Sequence, residues 1–266
     1  MNRVRLVVYL VMIGLGCLAL AFLAPAGVMF AIVVGLVAGF AVPLVDMLIM
    51  DRLHLRLHWY ALRNWSTQIR ISYSYLFRIQ VGPEYLLVFG QRHQQFQPVG
   101  GVYKTHGDGK AFLKRIGALD DDYLPVDEVT ERDLRIRIEG RHLPRFVAWV
   151  ESMRGREVDG WREFYEEMLA SNILDASKFP YIEYSFLRRV FRPLRYSQHA
   201  KSKELLIADI LELEPSGVQL EELKRLKTVG DNRVLWASDT KIERLGSEPG
   251  MGRVDVIGEP AQWLLG

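Results

Sequence analysis

From Leu6 to Val45 the chain carries no Asp, Glu, Lys, Arg or His. A bilayer core of ~30 Å needs about 20 apolar residues per helix, and this run is long enough for two. The pattern predicts one helix over 6–24 and a second over 28–50, joined by Pro25-Ala26-Gly27. Arg3 and Arg5 precede the pair, and Arg52, Arg56 and Arg63 follow it. By the positive-inside rule both ends face the cytoplasm of a two-span hairpin. A cleaved signal peptide would account for the first apolar run, with its two arginines, but not for the second. Within the second run Gly35 and Gly39 form a Gly-x-x-x-Gly pair, extended upstream by Ala31. Such a pair permits close helix approach in lipid, either within the hairpin or between subunits. Two helices cannot enclose a pore, so any pore requires a homo-oligomer.

Residues 51–68 mix Leu53, Leu55, Leu57, Trp59, Leu62 and Trp65 with arginines and histidines. That composition suits either a segment lying along lipid headgroups or a plain connector. From Ile69 the period changes to two: Ile69, Ile71, Tyr73, Tyr75, Phe77, Ile79 and Val81 alternate with other residues, as in strands with one buried face. Gly82-Pro83 turns the chain into a further strand over 85–89. Leu134, Ile136 and Ile138 mark another, and a helix is expected through Phe146–Met153. A second helix is expected over 160–174, with Trp161, Phe164, Tyr165, Met168 and Leu169 on its apolar side. Strands over 181–190 and 204–212 and a helix over 220–226 complete the pattern. Strands and helices alternate without a strict βαβ rhythm. Residues 69–266 are therefore expected to fold as an α/β domain, a mixed sheet flanked by helices.

Composition narrows the function. The 34 Lys+Arg nearly balance 32 Asp+Glu, and a net charge of +2 argues against wholesale binding of a DNA or RNA polymer. A single Cys excludes an internal disulfide and any multi-cysteine metal site. No Gly-x-Ser-x-Gly nucleophile motif is present, and His106 and His142 lack metal-ligand spacing.

Two clusters carry candidate chemistry. Arg162-Glu163-Phe164-Tyr165-Glu166-Glu167 places carboxylates at i, i+3 and i+4, together on one face of an α-helix. Such a face is solvated, paired with basic groups, or holds a hard cation such as Mg²⁺ or Mn²⁺. The second cluster lies between Glu183 and Glu204, an interval without acids that holds Arg188, Arg189, Arg192, Arg195 and His199 with interleaved aromatics. Guanidinium groups pair with phosphate and aromatic faces stack on bases. A solvated hairpin, or a strip facing anionic lipid, would show the same composition. The loop Gln91–Gln95, with Arg92 and His93, is a weaker candidate.

The string 162–167 resembles the core of the nudix box, and Gln97-Pro98-Val99-Gly100-Gly101 resembles the start of the nudix metal loop. Residues 231–245 and the ending Glu259-Pro260-Ala261-Gln262-Trp263-Leu264-Leu265 are similar to a nudix C-terminal region. In nudix hydrolases the positions of Glu163, Glu166 and Glu167 hold Mg²⁺ or Mn²⁺, the residue at Arg162 orients them, and metal-activated water cleaves a nucleoside-diphosphate linkage. Here Ala148 and Arg154 occupy the upstream positions where that box has Gly and Glu. Gly101 lies far ahead of Arg162, across a long insertion. This split layout resembles the SMODS-associated nudix family. With two transmembrane helices ahead of it, the chain resembles a membrane effector of CBASS antiphage systems. The resemblance implies a cyclic-nucleotide synthase as functional partner, a cyclic oligonucleotide as ligand, a bacterial inner-membrane location, and membrane disruption on binding. It also leaves open a membrane-anchored Mg-dependent hydrolase.

Overall fold

The structure is a computed structural model that describes residues 3–25, 27–50, 52–121, 132–198, 200–248, 250 and 252–265. It divides into two compact units: residues 1–67 with 140–148, and residues 68–139 with 149–266.

The first unit contains α1 (Arg3–Leu20), α2 (Val28–Met50) and α3 (Arg52–Arg63). Tyr9 on α1 meets Phe40 on α2 with ring centroids 6.3 Å apart. The first helix stops short of the expected residue 24. The amides of Ala21, Phe22 and Leu23 bond three residues back, tightening the chain ahead of Pro25, whose ring disfavours helix in the residue before it. By length and composition Val28–Asp46 can cross a membrane, whereas the apolar run Val7–Leu20 is shorter. Where α1 and α2 approach, the tight glycine is Gly16, at which a Cβ would stand 2.4 Å from Val37 Cγ2; Gly35 and Gly39 meet nothing there. The segment after Met50 is helical, and α3 buries Leu57 and Ala61 while exposing Trp59 and Leu62. Residues 140–148 supply a 3₁₀ turn and most of α5 (Leu143–Glu151). The Gly140 amide bonds Thr67 O at 3.0 Å and the Arg141 amide bonds Trp65 O at 3.2 Å.

The second unit is built on a seven-stranded mixed sheet. Its strands are β1 (Gln68–Arg78), β5 (Gly100–Val102), β6 (Leu119–Asp120), β7 (Arg135–Glu139), β8 (Tyr184–Phe191), β9 (Arg195–Ser197) and β10 (Ser202–Leu213). The central path runs β6-β7-β1-β10-β8, with β5 on β1 and β9 on β10. Among the described strands of this sheet β1 and β10 are the parallel pair, in register from Ile69↔Lys203 to Arg78↔Glu212. A second sheet joins β2 (Gln80–Val81), β3 (Glu84–Gly90), β4 (Gln95–Gln97) and β11 (Val234–Ser238), and a short hairpin pairs β12 (Ser247–Glu248) with β13 (Gly252–Arg253). Helices α4 (Gly107–Arg115), α6 (Trp161–Phe164), α7 (Gly217–Val229) and α8 (Asp239–Glu243) complete the unit.

Alternation along β1 gives the sheet two distinct faces. Ile69, Ile71, Tyr73, Tyr75 and Phe77 are fully buried on one. There Phe77 meets Phe164 edge-on at 5.7 Å, and Phe164 meets Phe179. Such aromatic pairs add about 0.5–1.5 kcal/mol each beyond area burial. On the other face Leu76, Ala208 and Ile210 pack with Ile257, Ala261 and Trp263. Toward its N-terminal end that face instead presents Arg70, Ser72 and Ser74, which are only partly buried. This polar end becomes the wall of a cleft.

The helix expected over 160–174 is the main departure from the sequence pattern. Only Trp161–Phe164 is α-helical; Tyr165–Leu169 is a π-helix, with the Ala170 amide bonded to Tyr165 O at 2.8 Å. The wider turn changes the angular spacing of the side chains, so residues three and four apart no longer share one α-helical face.

Candidate functional site

The acidic string lies against the glycines of β5. Arg162 is the hub: its Nε and Nη2 each donate to a Glu157 carboxylate oxygen at 3.1 Å, its Nη1 donates to Glu163 Oε1, and Nη2 also reaches Val102 O. Glu163 crowds Gly101 so closely that a Cβ there would lie 2.1 Å from Glu163 Oε1. Burial raises the Glu163 pKa against the opposing pull of Arg162. Glu167 accepts the Gly100 amide at 2.9 Å. Burial pushes its carboxyl up to about 8; the Gly100 hydrogen bond opposes this and the Glu163 and Glu166 charges add to it. Glu166 is half exposed and stands 3.8 Å from Arg162 Nη1.

The three glutamates are therefore in three different situations: one neutralised by arginine, one favouring its protonated form, one at the surface. Among the described residues no group of three or more His, Cys, Asp or Glu side chains converges as a metal site. As placed, these carboxylates do not fit Mg²⁺ or Mn²⁺, which want several ionised oxygens converging on one point. What the arrangement does is hold Gly100-Gly101 against the acidic helix.

On the other side of those glycines is a cleft of about 370 Å³. Ser72 and Ser74 of β1 and Leu206 of β10 line it, as do Gly100-Gly101, and Pro260 and Trp263 of the C-terminal 3₁₀ turn. Arg92 and His93 come from the turn between β3 and β4, and Arg70 and Arg135 from the sheet. Register explains why the two sheet arginines are neighbours: Ser72 pairs with Arg135 across β1–β7, and Arg70 pairs with Arg137. Arg70 is neutralised by Asp121 at 2.7 Å and by Glu204. Among the described residues Arg135 pairs with Asp133 at 3.4 Å. Burial, with the Arg92 and Arg70 charges, lowers the Arg135 pKa. Arg92 forms no ion pair among the described residues. The cleft thus gathers more cationic than anionic groups beside small hydroxyls and glycine backbone.

The arginines singled out between 183 and 204 do not converge on a common point. Arg188 Nη2 donates to Trp263 O at 2.8 Å and also to Leu265 O. Arg189 forms a bidentate pair with the buried Asp209 at 2.6 and 3.1 Å, inside a network that includes the Tyr73 and Tyr103 hydroxyls. Arg192 and Arg195 both bind Glu259. His199 lies outside the described residues. Arg188, Arg192 and Arg195 all reach the segment 259–265, whereas Arg189, on the opposite face of the alternating strand, reaches Asp209.

A sequence model of the SMODS-associated NUDIX domain matches residues 68–265. The chain belongs to the SMODS-associated NUDIX family. No curated protein and no solved structure matches it. The match starts at the first residue of β1 and takes in both faces of the main sheet. Within this SMODS-associated NUDIX domain, Arg70, Ser72, Ser74 and Arg135 are cleft residues that lie outside the sequence motifs. Their signal was present as polar residues alternating with buried ones along β1 and β7. Glu157, which doubly anchors Arg162, sits outside the string 162–167 and gave no signal at all.

Proposed function

We propose that the SMODS-associated NUDIX domain is the sensor of a membrane effector, and that its cleft binds a cyclic oligonucleotide. The observation carrying this reading is the juxtaposition of Arg92 and Arg135 at a cleft walled by Ser72, Ser74 and the Gly100-Gly101 backbone. Arginine forks match phosphate oxygens, and the Ser72 hydroxyl supplies a short-range donor for the same anion. A cleft of this size falls in the range of small-molecule sites. The four arginines 188, 189, 192 and 195 act in this reading as the frame behind the cleft rather than as ligand contacts.

The apolar helices supply the output. In the proposed topology α1 and α2 form a membrane hairpin with both termini in the cytoplasm, consistent with the flanking arginines. Gly35 and Gly39 are exposed on α2 and are not used by α1. They therefore suit contacts between hairpins of neighbouring subunits. Ligand binding must favour the assembled arrangement over the separate one, since equal affinity for both would transmit nothing. Assembly then disrupts the inner membrane. In a CBASS setting a cyclic-nucleotide synthase supplies the ligand on infection, and the outcome is cell death or arrest.

The test is dye leakage from liposomes carrying the full chain, with a panel of cyclic di- and trinucleotides and with Mg²⁺ present. Leakage gated by one cyclic nucleotide, lost in Arg92→Gln/Arg135→Gln and kept in Glu166→Gln, supports the reading. Consumption of a linear dinucleotide without leakage, abolished by Glu166→Gln/Glu167→Gln, identifies an anchored hydrolase instead.

A further inference from the structure

The first unit carries a surface that is basic and free of acids. In 52–67 and 140–148 there are five arginines, Arg52, Arg56, Arg63, Arg141 and Arg145, and no Asp or Glu. Residues 140–148 are brought beside the end of α3 by the Gly140–Thr67 and Arg141–Trp65 backbone bonds. This approach needs glycine at 140, because a Cβ there would lie 2.2 Å from Asn64 O.

Along α3 the faces segregate. Leu57, Ala61 and Asn64 are buried at helical spacing. On the other side Arg52, Arg56, Trp59 and Arg63 recur at i, i+4, i+7 and i+11, and all are exposed. Trp59, Leu62 and Trp65 are each more than half exposed, at 60%, 65% and 56%. Large aromatic rings left in water beside guanidinium groups are costly and unusual for a soluble surface, but both prefer the headgroup zone of a bilayer. Helix α3 begins two residues after α2 ends.

We infer that the Arg/Trp face of α3, extended by Arg141 and Arg145, docks on an anionic bilayer surface. The arginines meet lipid phosphate, and Trp59, Leu62 and Trp65 enter the headgroup–acyl boundary. This placement rests on the membrane reading of α1 and α2 for its geometry, but its chemistry is separate. Each arginine near an anionic surface shifts the docked-to-free ratio about fivefold at physiological salt, so the face is a salt-sensitive clamp rather than a second anchor.

The experiment uses the full chain in vesicles of phosphatidylcholine alone or with phosphatidylglycerol, each containing a headgroup-labelled quencher lipid. Tryptophan quenching should be strong in the anionic vesicles, weaker in neutral ones or high salt, and reduced in Trp59→Phe/Trp65→Phe. Arg56→Gln/Arg63→Gln should lower it without changing flotation. Equal quenching in neutral and anionic vesicles, or unchanged quenching in the tryptophan variant, overturns the inference. Flotation with neutral vesicles that survives alkaline extraction reports on α1–α2 independently. If that flotation fails while anionic quenching through Trp59 and Trp65 persists, the hairpin reading falls and the clamp stands.

Discussion

The Glu167 carboxylate accepts the Gly100 backbone amide at 2.9 Å, joining the π-helical turn to the glycine strand that walls the cleft. This bond fixes the position of Gly100-Gly101, and its strength depends on which form of Glu167 is present.

Because burial raises the Glu167 pKa to about 8, the folded state holds a proton there that the unfolded chain releases above its ordinary carboxyl range. Between about pH 4.5 and 8 the native state binds more protons at this site, so its contribution to stability is full at low pH and is lost as pH rises through the folded value. Glu167→Gln keeps the acceptor and removes the titration. Melting temperature against pH should therefore fall less steeply in Glu167→Gln than in the wild type over that window. Parallel curves would show that Glu167 is ionised in the folded protein.

Gly100 and Gly101 should respond differently to alanine. Gly100 has φ +146°, and a Cβ would lie 2.2 Å from Tyr75 O, a backbone atom in the sheet. At Gly101 the obstacle is the Glu163 side chain. Gly100→Ala is expected to cost about 1–3 kcal/mol from backbone strain alone, plus the clash. Gly101→Ala should cost less, because Glu163 can swing aside. Denaturant midpoints of the two variants measure the difference.

Asp209 anchors Arg189 and receives the Tyr73 and Tyr103 hydroxyls. Removing it strands a partly buried guanidinium and two hydroxyls. Asp209→Ala is expected to lose about 3–5 kcal/mol, and Arg189→Met should also destabilise. Arg92→Gln, on an exposed turn, should leave the melting temperature within a degree or two and reduce ligand affinity. The opposite pattern, with Arg189 governing affinity and Arg92 neutral, would move the site to the basic strand.

Gly140→Ala should separate residues 140–148 from the end of α3, since the obstructing Asn64 O is backbone. A loss of about 2 kcal/mol or more is expected. In detergent, the change should appear as a lower melting temperature for the Trp59 and Trp65 emission than in the wild type.

How much of this was legible in the sequence varies by region. The alternation from Ile69 to Val81 located β1 and its buried face because a one-sided strand leaves a period of two. The uncharged run 6–45 located α1 and α2, since no soluble surface helix lacks charge for so long. The acidic string was read as an α-helical face, and the π turn undid that spacing. Nothing in the residue order of 162–167 distinguishes a π from an α turn. The pairing of the basic stretch 188–195 was not legible because its partners, Asp209, Glu259 and the Trp263 and Leu265 carbonyls, are distant in sequence. The cleft was obscured for the same reason: Arg92, Arg135 and Ser72 meet only through sheet register.

The parallel pairing of β1 with β10 also sets an order of events during synthesis. Arg70 and Glu204, bonded across these strands, are 134 residues apart. When β1 leaves the ribosome, its parallel neighbour has not been made, and it can pair only with β5 and β7 as they emerge. Closing so long a loop is slow, and an exposed strand edge in an unfinished domain invites wrong pairing. The apolar helices precede β1, so they are already available for a membrane while the sheet is still incomplete. The central sheet of this protein is therefore completed only once β10 has emerged, long after the first fifty residues have left the ribosome.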